Sequence, residues 1–477
     1  MANYLNSHRL PTILLALVAG TGAGLIAAAG AVWPLILLGT LGVFYLVYLR
    51  ADFGPAVMVF ITYINLSDVL IKHHGFPSIA KVYVPLMVLL LGIHWLQYQR
   101  RPWLPVTGLL VLAIFSLVLL LSFFYAHDNQ AVAAGFLQYS KNLTIALLLA
   151  LLASSTTSLR LVLWGIIAGA LFLGALSIIK FLTGNVANDF GGFAQAKVAM
   201  RSQVLWVRHS GPIHDPNHFA QILLIAVPIS IERMFSETKW LLKYAAGCAL
   251  LLSIFTIVMT FSRGALVALA ILTFIAFYTL KAYRKWLIVG ILLSVVVALP
   301  LLPDGYIDRI YSVAPAIGLE VEVSQSADSS TSSRIGLMKT AWNMFLDHPL
   351  LGVGYNNFLA HYQEYALRYD LRRGGGDISA HTLYLEIAAE GGLIGLLSFG
   401  LLLFYLGRVS HQGWRTMKQA GFSSDANMVA GIAMGLLAYL MAAIWLHNSY
   451  PRYFWILVGL LLAVPGVVRN TLPRREK

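Results

Sequence analysis

The residues Ser379–Leu397, S-A-H-T-L-Y-L-E-I-A-A-E-G-G-L-I-G-L-L, decide how the chain is read. They close a long polar stretch and open an apolar one, and His381 stands at the seam. An imidazole with an ordinary pKa of about 6.5 takes and gives protons near neutral pH, so a histidine at such a boundary is a candidate base. The plainer alternative is a histidine that merely precedes a helix at an interface. The weighing of the two depends on the rest of the chain.

Working outward, apolar runs long enough to cross a bilayer (about 20 residues each) recur from end to end. Hydrophobic residues make up 59% of the 477 and charged residues only 11%, against roughly 25% charged in a soluble domain. Lipid offers no partner for an open backbone, so each run must be helical. The expected fold is an all-α polytopic membrane protein with twelve to fourteen spans and one large extracytoplasmic loop. The candidate spans are 10–29, 32–49, 53–71, 79–96, 104–125, 133–152, 159–182, 219–235, 241–260, 265–280, 286–302, 383–406, 428–446 and 453–468. Residues 1–302 read as an N-terminal helical bundle, 303–380 as the outer loop and 381–477 as the C-terminal helices, all one membrane domain. The lone Cys248 lies inside an apolar run and forms no intramolecular disulfide.

The net charge of +13 is high, but the basic residues form no soluble patch, which argues against a nucleic-acid partner. Placing the N-terminus in the cytoplasm puts 18 of the 33 lysines and arginines in short inner loops or the tail, as the positive-inside rule asks. Both termini are then inside. The remaining cations gather on the outer side, in the segment 183–218 (Lys197, Arg201, Arg208), the turn Phe261-Ser262-Arg263-Gly264 and the loop 303–380, which carries Arg334, Arg372 and Arg373. Counting spans therefore brings Arg208, Arg263 and His381 to one face.

Three stretches carry chemistry. In T-F-S-R-G-A, Arg263 sits at a junction of two apolar runs, a costly place unless it meets water, a partner or a ligand. The helix that follows adds a partial positive charge that suits a phosphate-type anion; a snorkelling interfacial arginine is the alternative. In R-H-S-G-P-I-H-D-P-N-H-F-A, Asp215 reads as an N-cap with Pro216 at the first helical position, and Asn217 stands at that entrance. His214 and His218 are four apart, but Pro216 disfavours the helix a shared metal would need. In the outer loop, Ile335, Met338, Trp342 and Phe345 recur at helical spacing, with Arg334 opening a helix that lies on the membrane surface. Phe358–Tyr369 reads as a second helix. Tyr384 shares a helix face with His381. Glu386 and Glu390 lie round the other side, where a helix–helix role is expected of them. No phosphate-binding G-x-x-x-x-G-K-[ST] loop occurs, and neither a cofactor nor a metal is expected.

S-R-G-A at Ser262–Ala265, the Arg334 helix followed by H-P-L-L-G-V-G-Y-N-N-F, and A-H-T-L-Y-L-E-I-A-A-E-G-G-L-I-G at Ala380–Gly395 together resemble the O-antigen ligase/polymerase family of bacterial envelope glycosyltransferases. The resemblance covers roughly 208–468, and Thr382 stands where the family usually has Asn. It implies an inverting, metal-independent transfer of a glycan from an undecaprenyl-diphosphate carrier to lipid A-core or a similar acceptor, at the periplasmic face of the inner membrane. Within it, Arg263 and Arg208 hold the diphosphate and His381 is the base or positions the acceptor. Arg334, Asn217, Tyr384 and Arg201 are candidate substrate-binding residues. A polymerase joining lipid-linked repeats shares these motifs. A transporter is the reading from another class: Asn65 and Asp68 in the third span, and Lys141 and Asn142 in the sixth, put polar groups inside the bundle.

Overall fold

A computed structural model describes residues 52–98, 105–201, 204–279, 325–369, 379–447 and 451–472. The expected spans 10–29, 32–49 and 286–302, the loop segment 303–324, Arg372, Arg373 and the basic tail lie outside the described residues.

The described chain is helical apart from one hairpin. The first expected span, 53–71, is a bent pair, α1 (Phe53–Tyr63) and α2 (Leu66–His74), turned by 48°. Asn65 makes the bend in the left-handed region, φ 57°, which asparagine tolerates better than most side chains. Then come α3 (Ala80–Tyr98), α4 (Val106–Leu121), α5 (Asn129–Leu152) and α6 (Thr156–Thr183). After the hairpin follow α7 (Pro216–Ser236), α8 (Trp240–Met259) and α9 (Arg263–Thr279). The outer loop supplies α10 (Gln325–Asp347) and α11 (Phe358–Arg368), and the chain closes with α12 (Leu383–Gln419), α13 (Ser423–Ala442) and α14 (Arg452–Thr471). Eight of these helices are long and apolar enough to cross a membrane, nine with the bent pair. The chain is a multi-pass membrane protein.

The core gathers on α14, whose residues from Tyr453 to Val464 are all buried. It lies against α5 so closely that a Cβ on Gly459 would fall 2.5 Å from the Ala146 carbonyl oxygen. Small residues at such crossings let helix backbones approach and gain dispersion contacts that lipid cannot match.

The segment expected as a loop before α7 holds an antiparallel hairpin, β1 (Gln195–Arg201) and β2 (Val204–Gly211). Val198, Met200, Leu205 and Val207 supply the apolar character of its strands.

Two further differences concern the outer loop. Helix α10 is already formed at Gln325, so Arg334 lies inside it and does not open it. Its buried face is Leu337, Ala341 and Met344, packed with Phe358, Tyr362 and Ala389. Of the expected apolar stripe, Ile335 and Trp342 remain exposed and are the residues available to lipid.

What holds the outer loop in place is a break in α12. Gly392 has φ 59° and ψ −156°, a conformation that interrupts the helix and opens its backbone groups. The turning stretch His348–Asn357 fills the opening. Leu393 and Ile394 N–H donate to the Pro349 and Leu350 carbonyls (2.8 and 3.2 Å), while Val353 and Gly354 N–H donate to the Ala389 and Glu390 carbonyls (2.8 and 3.0 Å). The contact tolerates no side chain: a Cβ on Gly392 would sit 2.4 Å from the Leu350 carbonyl carbon. The H-P-L-L-G-V-G and A-E-G-G motifs are therefore two halves of one joint. Glu390 completes it by accepting the Asn356 and Phe358 N–H groups (2.9 and 3.1 Å).

Candidate functional site

The site lies at the end of the bundle where α7, α9 and α12 begin. Each helix start is set locally. Asp215 caps α7, accepting the N–H groups of Asn217 and His218, both at 2.9 Å, with Pro216 next in line. Before α9, the chain turns at Phe261, φ 55°, and Ser262 N–H reaches Thr260 Oγ1 at 3.3 Å. Arg263 is then the first residue of α9. Before α12, His381 takes the same left-handed conformation, φ 52°, and Leu383 N–H donates to the Ala443 carbonyl (3.0 Å). A left-handed Phe or His costs about 1–2 kcal/mol per residue and persists only where surrounding contacts impose it. Both strained residues stand within two residues of a helix start at this site.

Arg208 ties these starts together. Its Nε donates to the Thr260 carbonyl (2.9 Å) and its Nη2 to Asn217 Oδ1 (3.0 Å). One guanidinium thus bridges the hairpin, the α7 entrance and the turn that carries Arg263. These two partners, a carbonyl and an amide oxygen, are neutral. Across the hairpin, Lys197 pairs directly with Arg208. Like charges directly opposite each other destabilise a strand pair, so this register needs an anion nearby. Asp215 is one, 3.7 Å from Lys197 Nζ.

The histidines form a row. The rings of His218 and His447 lie 5.0 Å apart and those of His447 and His381 5.5 Å apart, each pair edge to face. His218 Nδ1 is 3.1 Å from Asp215 Oδ1, and its Nε2 reaches the His447 carbonyl at 3.2 Å. Burial, with His218 and His381 beside it, pushes the His447 imidazole down to about 3, so this ring stays neutral at physiological pH. Burial alone would raise the Asp215 carboxyl, but His218 and Lys197 outweigh it and hold the group well below the usual carboxylate range. Arg334 joins from α10. Burial lowers its guanidinium, and the charge of Asp215 works against that.

Arg208, Asn217, the Arg263 turn, Arg334 and His381 are therefore neighbours of one another through Asp215, Thr260 and His447. Two expected residues are placed otherwise. The Tyr384 hydroxyl donates to the Leu440 carbonyl (2.8 Å), fastening α12 to α13. Arg201 ends β1 at the hairpin tip, four residues beyond Lys197, or roughly 13 Å at a strand's rise. His214 and His218 have separate partners: His214 Nδ1 meets Gln195 Oε1 at 2.8 Å.

Sequence reading passed over His447, His218 and Lys197 as site members. His447 follows Trp445, which packs where a Gly264 Cβ would point, 3.1 Å away; no motif around it announces this. Lys197 carried a signal in its apolar alternation with Val198 and Met200, which marks a strand.

The arrangement can hold an anion between helix N-termini and cationic side chains, with His381 at the end of the histidine row as the candidate base. The fold and site together define a multi-pass membrane protein with a histidine-lined cluster of basic residues at one end of its bundle. Residues 248–400 match the family model described as O-antigen ligase. The chain is also similar to the teichuronic acid biosynthesis protein TuaE of Bacillus subtilis (strain 168), 25% identical over 269 residues, covering 54% of this chain and 52% of that protein. The match thus spans about half the length of the curated relative. The two findings support the O-antigen ligase/polymerase family for this chain.

Proposed function

We propose that the protein transfers a glycan from an undecaprenyl-diphosphate carrier to an acceptor hydroxyl, at the outer face of the bacterial inner membrane, with both termini in the cytoplasm. The observation that carries this reading is the convergence of Arg208, the Arg263 turn, Arg334 and Lys197 on a site edged by three histidines. A diphosphate leaving group gains charge as the glycosidic bond breaks, and preorganised arginines stabilise that charge most in the transition state. His381, held in a strained conformation against His447, is placed to accept the proton of the attacking hydroxyl. Attack from the face opposite the departing diphosphate inverts the anomeric centre. The residues provide the charge stabilisation themselves, so no metal is required by this scheme.

The acceptor is read as lipid A-core or a similar lipid, which makes the protein an O-antigen ligase. The kinship with a protein named for teichuronic acid biosynthesis supports polysaccharide assembly and is equally at home with a polymerase. The test uses purified protein with undecaprenyl-diphosphate-linked glycan and lipid A-core, comparing wild type with His381→Ala and Arg263→Ala. Glycan joined to lipid A-core by wild type, and lost in both folded variants, is expected. Longer lipid-linked chains in its place would make the protein a polymerase. Undiminished transfer by His381→Ala would remove the base from the scheme.

A further inference from the structure

On the other side of the α12 start lies a cleft of about 790 Å³, its open mouth included, between α4, α5, α12 and α14. None of Arg208, Arg263 or His381 lines it. Its apolar wall is aromatic: Phe115, Tyr139, Phe399 and Trp455, packed ring on ring, with Tyr139 and Trp455 centroids 5.3 Å apart and Phe115 and Trp455 6.4 Å apart. Its polar wall is Asn142, Glu386 and Glu390. Glu390 is committed to the joint with the outer loop.

Asn142 is the group that asks for a ligand. It is 2% exposed, lies within a membrane-spanning helix, and its Nδ2 has no hydrogen-bond partner among the described residues. A buried amide without a partner costs about 1–3 kcal/mol, and leucine, branched at the same atom, carries no such cost. An orphan donor that faces a cleft is explained by an acceptor that comes from outside the chain.

The walls specify that molecule. It must accept from an amide, donate to carboxylates and lay an apolar face on aromatic rings. A hydrocarbon chain leaves Asn142 unmet. A diphosphate finds acidic side chains, Glu386 and Glu390, where it needs cations. A pyranose ring satisfies every wall, with C–H groups on its faces and hydroxyls, both donors and acceptors, on its rim. We propose that this cleft is a saccharide subsite, distinct from the cationic centre, with Asn142 and Glu386 holding ring hydroxyls and Trp455 and Tyr139 forming the apolar platform. That the bound ring belongs to the accepting or growing glycan rests on the transferase reading above; the binding itself does not.

The experiment uses the full chain in lipid nanodiscs and the methyl glycosides of glucose, galactose, rhamnose and N-acetylglucosamine, with saturation-transfer difference NMR as readout. Saturable transfer to the ring protons of at least one glycoside is expected. It should fall about five-fold or more in Asn142→Leu and Glu386→Gln, the loss of roughly one hydrogen bond's net worth, and persist in Arg263→Ala. Asn142→Leu should melt no lower than wild type, which separates lost binding from lost folding. No saturable signal with any of the four sugars, or a signal untouched by both substitutions, overturns the subsite. Sugar binding by a protein without transfer activity would sink the transferase reading and leave the cleft standing; transfer without sugar binding would do the reverse.

Discussion

The two ends of the bundle handle charge in opposite ways. Away from the site, where α6 begins and α7 ends, Arg233 is 1% exposed and donates to Glu232 (2.5 Å) and to Glu237 (3.1 Å). Arg160 pairs with the same Glu237, which also accepts from Trp164 Nε1 at 2.9 Å. Two arginines meet two glutamates, with Asp425 in the field of both arginines, so each cation there faces carboxylates. At the site end, Asp215 serves both Lys197, 3.7 Å away, and Arg334, while Arg208 is steadied by a carbonyl and an amide. A balanced buried cluster holds helices in register. An unbalanced one is an electrostatic cost that a bound anion offsets, which is how binding sites are told from structural ion pairs.

The largest effect that can break this contrast is at the paired end. Glu237→Ala takes a carboxylate from both Arg160 and the buried Arg233 and should cost about 3–5 kcal/mol of stability, read as a lowered thermal midpoint in detergent. A loss below about 1 kcal/mol, the worth of an exposed pair, would mean the cluster is not structural. At the site end the ranking should reverse. Arg208→Ala and Arg263→Ala should lower kcat by about 10²–10³, roughly 2.7–4 kcal/mol of transition-state stabilisation, with Arg208→Ala also losing the two hydrogen bonds that tie the helix starts, about 1 kcal/mol each. Arg208→Lys should rescue poorly, because an ammonium cannot reproduce the guanidinium fork on Thr260 and Asn217.

His447 sharpens the comparison through pH. Its folded pKa of about 3 lies below the unfolded value, so between the two the unfolded chain binds more protons and stability rises with pH. Stability is therefore lost as pH falls below about 6.5, by up to about 2 kcal/mol at pH 5. Melting curves of His447→Gln should be flatter over that window; an unaltered slope would assign the acid sensitivity elsewhere. The smallest effect is at Lys197. Lys197→Gln relieves the cross-strand repulsion with Arg208, worth about 0.2–1 kcal/mol, so it should melt slightly higher while KM for the lipid-linked donor rises. A destabilised Lys197→Gln would show that its pairing with Asp215 outweighs that repulsion.

The joint at Gly392 shows how far motif reading reaches. A-E-G-G and H-P-L-L-G-V-G were visible as signatures and their glycines as turns, yet nothing in either says that one fills a gap in the other. The Asp215–Pro216 cap was legible because capping is local, settled within three residues of backbone. The hairpin was missed because a short stretch rich in Gly, Asn and Arg between two spans looks like a loop until the alternation from Ala196 to Val207 is weighed. Tyr384 shows the converse: helix periodicity put it on a face with His381, and the proximity of α13 gave its hydroxyl a different partner.

Composition and hydropathy alone determined that the chain crosses a membrane as helices, since 59% apolar residues in spanning runs leave the backbone no other way to satisfy its hydrogen bonds. Counting basic residues along those runs was enough to put Arg208, Arg263 and His381 on one face. Only the tertiary structure decided that Arg208 bridges the starts of α7 and α9, that His447 from the α13–α14 turn lies between His218 and His381, and that Asn142 opens onto a cleft with two carboxylates. These contacts join residues up to 229 positions apart, and such pairings are set by how the helices pack, a property of the whole chain that no local run of sequence encodes.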